Sequence, residues 1–215
     1  MILYSGPLSM FGAKAQIAAL EKGLDVTVEM VPFNLTDLYS PKHPDVERIN
    51  PKKQVPVLID GNTEIYDSTQ IFEYFEDAAS AVRLWPADRA ARASARLLEH
   101  ESDEVFFPEV VRLMPAQRAH PDAEPVEAVI DRINAYHARM DGLLADRAYL
   151  AGDFSYADIA FFPAQFFGAF LGAPADDGLS HLAAWRARMA ARDSIQSVMG
   201  SMVAYLTSQG VPASL

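Results

Sequence analysis

Asn50-Pro51-Lys52-Lys53-Gln54-Val55-Pro56-Val57-Leu58-Ile59-Asp60-Gly61, followed by Glu64-Ile65-Tyr66-Asp67-Ser68, sets a proline against an apolar run, a turn pair after it, and an acid-hydroxyl pair ahead of a helical pattern. Pro56 cannot donate to a sheet ladder, so its place before Val57, Leu58 and Ile59 marks a strand entry of special shape. From Pro56 alone an ordinary trans bond is favoured; its neighbours turn the reading towards a cis Val55-Pro56 bond, which aims the N–H and C=O of the preceding residue outward to pair with an extended ligand. Asp60-Gly61 is a hairpin signal between two short runs of strand formers. Beyond it, Ile71, Phe72, Tyr74 and Phe75 fit one face of a helix running to about Ala79, which puts Asp67 and Ser68 at a helix N-terminus. Free N–H groups and the positive dipole end make that position a receptor for a carboxylate, although a plain helix cap uses the same residues. Together these features describe a site for a peptide-like ligand.

Composition bounds the alternatives. The chain has 215 residues, half of them hydrophobic and 22% charged, with a net charge of -11. It is long enough for one large domain or two small ones, and its composition is that of a globular protein. An acidic chain lacks the clustered cations that grip nucleic acid or anionic lipid. No run reaches the length of a membrane span and the N-terminus has no signal-peptide layout, so the expected location is the cytoplasm. Lys14, Lys22, Lys42, Lys52 and Lys53 all lie in the first quarter of the chain, which suggests a small cationic pocket for a small anion. With no cysteine, the chain makes no disulfide and offers no thiol, so any sulfur chemistry must arrive with a ligand. His43, His100, His120, His137 and His181 show no metal-ligand spacing and read as surface or packing residues.

The two halves differ in pattern. Residues 1–79 read as strand, helix, strand, long loop, strand, strand, helix, with Met1–Ser5, Ala13–Lys22 and Asp25–Met30 as the first three elements and Gly23 as a helix stop. A link over 80–86, containing Trp85-Pro86, leads to an all-helical region over 87–215. There the pattern predicts a long helix from Asp88 to Met114 bent near Pro108, then helices over Pro125–Ala145, Leu179–Arg192 and Ser194–Thr207. Ser155-Tyr156-Ala157-Asp158 is a capping box in its acidic variant, with Phe154 and Ile159 placed as a hydrophobic staple.

Gln54-Val55-Pro56-Val57-Leu58, the Asp67-Ser68 pair and Phe154-Ser155-Tyr156-Ala157-Asp158-Ile159, in this order and spacing, resemble the cytosolic-type glutathione S-transferases, in their bacterial, serine-type form. The resemblance covers almost the whole chain. It implies an α/β thioredoxin-like N-terminal domain, an all-α C-terminal domain, glutathione as cofactor, a small hydrophobic electrophile as second substrate, and a homodimer. It implies that Val55, beside Pro56, pairs its backbone with the cysteinyl portion of glutathione, that Asp67 and Ser68 take the γ-glutamyl end, and that Lys42 and Gln54 meet the glycyl end. Asp67 stands where the family usually has a longer glutamate, and Lys53 where a glycine is common.

The same resemblance puts Ser9 at the position of the catalytic serine, with Tyr4 as the competing hydroxyl. A serine hydroxyl near neutral pH is a donor, and donation to bound sulfur favours thiolate over thiol, helped by the helix that begins near Gly12. A free thiol titrates at about 8.5, and one charge-assisted hydrogen bond with a helix dipole shifts it by roughly one or two units. Met10 and Phe11, with Phe106, Phe107, Val110 and Met114 on the long helix, are the expected lining of an electrophile pocket. Phe161, Phe162, Phe166 and Phe167 read as core. Transfer of glutathione to an electrophilic carbon is the expected reaction. Aryl-ether cleavage, isomerisation or peroxide reduction with the same thiol, and a non-catalytic binding module, are the alternatives.

Overall fold

The computed structural model describes residues 1–79 and 81–215; Ser80, at the start of the expected link, lies outside the described residues. Contacts divide the chain into two compact units, one of Met1–Arg83 with Asp193–Leu215 and one of Leu84–Arg192.

The first unit is built on four short strands: β1 (Ile2–Ser5), β2 (Thr27–Met30), β3 (Val57–Asp60) and β4 (Thr63–Tyr66), in the order β2-β1-β3-β4. β1 and β2 run parallel because α1 (Met10–Glu21) forms the crossover, whereas β3 and β4 are the antiparallel hairpin that Asp60-Gly61 signals. This mixed sheet with its helices is the thioredoxin-like arrangement. The stretch expected to be a long loop contains α2 (Pro44–Ile49), six residues with Pro44 in the first turn and Asp45 and Glu47 beside the positive end. So short a helix leaves too little apolar period to read from sequence. α3 (Ser68–Ala78) buries Ile71, Phe72 and Phe75, the face that the sequence pattern marks. Lys22, buried at the end of α1, pairs with Glu76 at 2.9 Å and donates to the Val82 carbonyl, tying α1, α3 and the chain beyond α3 together.

In the second unit the expected long helix is interrupted. α4 (Arg89–Glu101) passes into a π turn over Ser102–Phe106, and α5 (Phe107–Arg112) follows with Pro108 in its first turn. Pro108 has no N–H for the ladder and its ring crowds the preceding turn, and the wider π turn takes up the mismatch. α6 (Pro115–Arg118) is a single turn that the pattern missed. α7 (Val126–Leu143) ends in a 3-10 turn over Leu144–Asp146. α8 (Tyr156–Phe170) is the buried centre, and α9 (Ser180–Ala190) follows it. Phe161, Phe162, Phe166 and Phe167 are all buried there, as read from the sequence. The chain then returns to the first unit as α10 (Asp193–Ser208), which packs on α1 and buries Ile195, Met199, Met202 and Leu206. No described helix is long and apolar enough to cross a membrane.

The capping box at α8 is closed on itself. Asp158, fully buried, accepts from the Leu150 N–H at 2.9 Å, the Ser155 N–H at 3.0 Å, the Ser155 hydroxyl at 3.2 Å and the Trp185 indole at 2.9 Å. Burial pushes its carboxyl up to about 6 against these four donors, which pull the other way.

Candidate functional site

Strand register brings Pro56 and Asp67, two of the expected ligand residues, to one end of the sheet. Tyr4 pairs with Val57, and Val57 with Tyr66, so Ser5, Pro56 and Asp67 each come one residue beyond a matched trio on adjacent strands. The Val55-Pro56 bond is cis, with Pro56 buried and Val55 half-buried. Asn50, buried, holds the approach to this bond: its amide donates to the Gln54 carbonyl at 2.6 Å and its oxygen accepts the Lys52 N–H at 2.9 Å. That clamp was missed from sequence, although an Asn-Pro pair ahead of a strand is a turn signal. The Gln54 side chain itself is exposed.

Asp67 is the N-cap of α3, its Oδ1 accepting from the Thr69 N–H at 3.1 Å and the Gln70 N–H at 3.2 Å. Its φ of +77° lies in the region that favours glycine, a conformation that costs an aspartate on the order of 1 kcal/mol. The carboxylate is thereby left exposed at the sheet end, and Ser68, the first residue of the helix, is buried beside it.

Ser9 is the N-cap of α1, and its Oγ accepts the Gly12 N–H at 3.0 Å. The helix begins two residues before the expected Gly12, which puts Ser9 directly at its positive end. No acidic residue stands in the first turn of α1 to offset that end. Capping uses a lone pair of Oγ, and among the described residues no acceptor takes the Ser9 proton. Gly12 makes this packing feasible, since a Cβ there would run into the Ser5 hydroxyl and crowd that of Ser9. Ser5, buried and accepting from the Gln16 amide at 2.8 Å, is a further hydroxyl at the helix start that sequence reading did not single out.

Tyr4 points elsewhere. Its ring packs with Val31, Val46 and Val57 and lies 4.7 Å from the ring of His43, on the side of the sheet covered by α2. Its hydroxyl donates to Asp45 at 3.0 Å, and burial followed by that carboxylate raises its pKa above the usual phenol value. Lys42 is exposed, its ammonium 5.9 Å from the centre of the Tyr39 ring.

The lysines do not pool into one cationic pocket. Lys14 is fully buried on α1, Lys22 is in its interior ion pair, and Lys53 pairs with Glu47 at 2.6 Å; only Lys42 and Lys52 remain exposed without a described ion pair.

Of the expected pocket residues, Met10 is buried and Phe11 half-buried on α1, and Met114 is half-buried after α5. Phe106, Phe107 and Val110 are core residues of the helical unit. Phe106 packs 4.9 Å from Tyr136 and 5.2 Å from Phe161, Phe107 lies 6.2 Å from Phe167, and Val110 adjoins Gly168. His137 belongs to that core too, its pKa lowered to about 4 chiefly by burial, so it is neutral packing at pH 7. Among the described residues no cluster of three or more His, Cys, Asp or Glu is arranged for a metal ion.

Comparison with known proteins bears on the same two regions. Residues 3–83 match the model of the glutathione S-transferase N-terminal domain, and residues 100–193 that of the C-terminal domain. The chain is 31% identical to glutathione S-transferase 3 of Zea mays, over 93% of each chain. It is 40% identical to the maleylacetoacetate isomerase of Mus musculus over 99 residues, 45% of this chain and 44% of that one. The crystal structure of Gtt2 from Saccharomyces cerevisiae superposes with a TM-score of 0.79 at 25% identity, covering 92% of this chain and all of that one. By both domain matches and by a relative aligned over nearly its full length, the chain belongs to the glutathione S-transferase family.

Proposed function

We propose that the protein is a glutathione transferase in which the Ser9 hydroxyl donates its proton to the bound sulfur and holds it as thiolate for attack on an apolar electrophile. The observation that carries this reading is the state of Ser9: its oxygen is anchored by the Gly12 N–H, and its hydrogen has no described acceptor. An anchored donor at an uncompensated helix N-terminus favours the anion over the neutral thiol. A shift of one to two units from about 8.5 makes thiolate the major form at pH 7. Thiolate carbon attack then forms the C–S bond as the leaving group departs with its electron pair, or as an activated alkene takes up a proton.

Glutathione is held in this reading by the backbone of Val55 beside cis-Pro56, by Asp67 and Ser68 at the γ-glutamyl end, and by Lys42 and Gln54 at the glycyl end. The exposed carboxylate of Asp67 suits the γ-glutamyl amine, and the helix N-terminus at Ser68 suits its carboxylate. Half-buried Phe11, next to Met10 and two residues from Ser9, gives the electrophile an apolar neighbour. A two-fold homodimer belongs to the same proposal.

Ultraviolet titration of the thiol in the glutathione complex tests it. Wild type and Tyr4→Phe are expected to share a depressed thiol pKa, and Ser9→Ala to lose the depression. A raised pKa in Tyr4→Phe alone would transfer the role to Tyr4.

A second reading, isomerisation, is favoured by the partial match to maleylacetoacetate isomerase. The same thiolate adds to an activated cis alkene to give a delocalised carbanion, the former double bond rotates, and elimination returns the thiolate with the trans alkene. Turnover of a cis-alkene diacid with glutathione unconsumed would select it over conjugation.

A further inference from the structure

A row of side chains connects the C-terminal helix to one of the proposed glutathione ligands. Tyr205, half-buried on α10, presents its ring edge-on to Phe33 at 5.8 Å, and its hydroxyl lies 3.5 Å from the Phe33 carbonyl. The Phe33 ring packs against that of Tyr39, centroids 4.6 Å apart and planes tilted by 50°. Tyr39 covers Gly6, where a Cβ would strike its ring and hydroxyl, and the Lys42 ammonium lies 5.9 Å over the same ring.

The intervening segment has little else to fix it. Asn34–Leu38 are exposed, and their hydrogen bonds are local: the Asn34 side chain accepts the Thr36 and Asp37 N–H groups, and the Asn34 N–H donates to the Leu38 carbonyl. These bonds shape the turn without fixing it to the sheet. The Tyr39 hydroxyl is buried beside the Leu8 backbone without a hydrogen bond of good geometry, so apolar contact, including the tilted Phe33 ring, holds it. α10 is firmly seated, with Leu206 next to Tyr205 fully buried.

We propose that Tyr205 is a positioning residue for glutathione, acting through Phe33 and Tyr39 to hold Lys42 where it meets the glycyl carboxylate; this rests on the glutathione reading above. The role is orientation. Tyr205 fixes the segment before ligand arrives, so binding need not order it. It stands apart from the Ser9 chemistry, and sulfur activation is independent of it.

The test is calorimetric titration of the intact protein with glutathione, paired with kinetics. In Tyr205→Ala the Kd is expected to rise about 3- to 10-fold, the scale of a lost aromatic pair. The thiol pKa and kcat at saturating glutathione stay at wild-type values. Tyr205→Phe, which keeps the ring and loses only a long hydroxyl contact, is expected to stay within about twofold of wild type. If Tyr205→Ala does not fold, Phe33→Leu interrupts the same row from its other side and carries the same expectation.

A cycle with Lys42→Ala reads the route: Tyr205→Ala should add little once Lys42 is gone. Unchanged affinity in both Tyr205→Ala and Phe33→Leu, or fully additive losses with Lys42→Ala, would overturn the positioning role alone. A wild-type protein that does not bind glutathione would overturn the functional reading and this inference with it.

Discussion

Among the described helices α1 and α8 have a serine at the N-cap, and the two serines are used in opposite ways. At α8, Ser155 is sealed: its hydroxyl and its N–H both go to Asp158, which also takes a distant backbone N–H and an indole. At α1, Ser9 gives an oxygen lone pair to Gly12 and keeps its hydrogen. The first arrangement spends its polar capacity on the fold. The second keeps a donor in reserve at the positive end of a helix. On the function proposed above, what separates the structural serine from the chemical one is whether the protein already consumes its proton.

The sealed start should be the harder to disturb without loss of the fold. Asp158→Ala strands the Leu150 and Ser155 N–H groups and the Trp185 indole in the interior, and about 3–5 kcal/mol of stability is expected to go, measured by urea unfolding. Its pH dependence has a definite sign. Asp158 titrates near 6 in the fold against an ordinary 3.8, so the stabilisation from its protonation is complete below about 3.8 and disappears as pH rises through 6. Comparison with Asp158→Asn should show the stability gap shrinking from pH 4 to pH 7. A constant gap would mean that the four donors offset burial.

The open start should fail in chemistry before it fails in folding. Ser9→Ala is expected to raise the bound thiol pKa by about one to two units and to lower kcat/KM about 10- to 100-fold below pH 7, at a stability cost of about 1 kcal/mol for the cap. Equal losses of activity at pH 6 and pH 9 would argue that Ser9 only caps. Asp67 is intermediate between the two, a cap with an exposed carboxylate. Asp67→Gly removes the carboxylate but suits the positive φ, so stability should change by a few tenths of a kcal/mol while glutathione affinity falls about tenfold. Tyr4→Phe is the smallest: thiol pKa unchanged, and stability lower by at most about 1 kcal/mol for the Asp45 hydrogen bond.

These contrasts follow the line between what sequence can and cannot reveal. The cis-Pro56 strand entry, the Asp60-Gly61 hairpin and the Ser155–Asp158 box were legible because each is local chemistry, set by residues within a few positions of one another. The interior of the helical unit was legible in part: four phenylalanines on α8 were read as core, while Phe106, Phe107 and Val110 were expected to line a pocket and pack inward instead. Helical spacing reveals an apolar face but not whether ligand or protein covers it. The five N-terminal lysines had the same ambiguity, since nothing near Lys22 or Lys53 in sequence announces Glu76 or foretells the choice of Glu47. Tyr4 and Ser9 were separable only by their partners, because Asp45 lies 41 positions from Tyr4.

The C-terminal helix gives the chain an order of assembly. α10 packs on α1, yet it is made after all of Leu84–Arg192, so during synthesis the first unit waits with one flank of α1 uncovered while the entire helical unit emerges. Topologically the helical unit is an insertion into the sheet-bearing unit, entered at Leu84 and left at Arg192. A stop codon after Arg192 would therefore spare every helix of the inserted unit and damage the unit that precedes it.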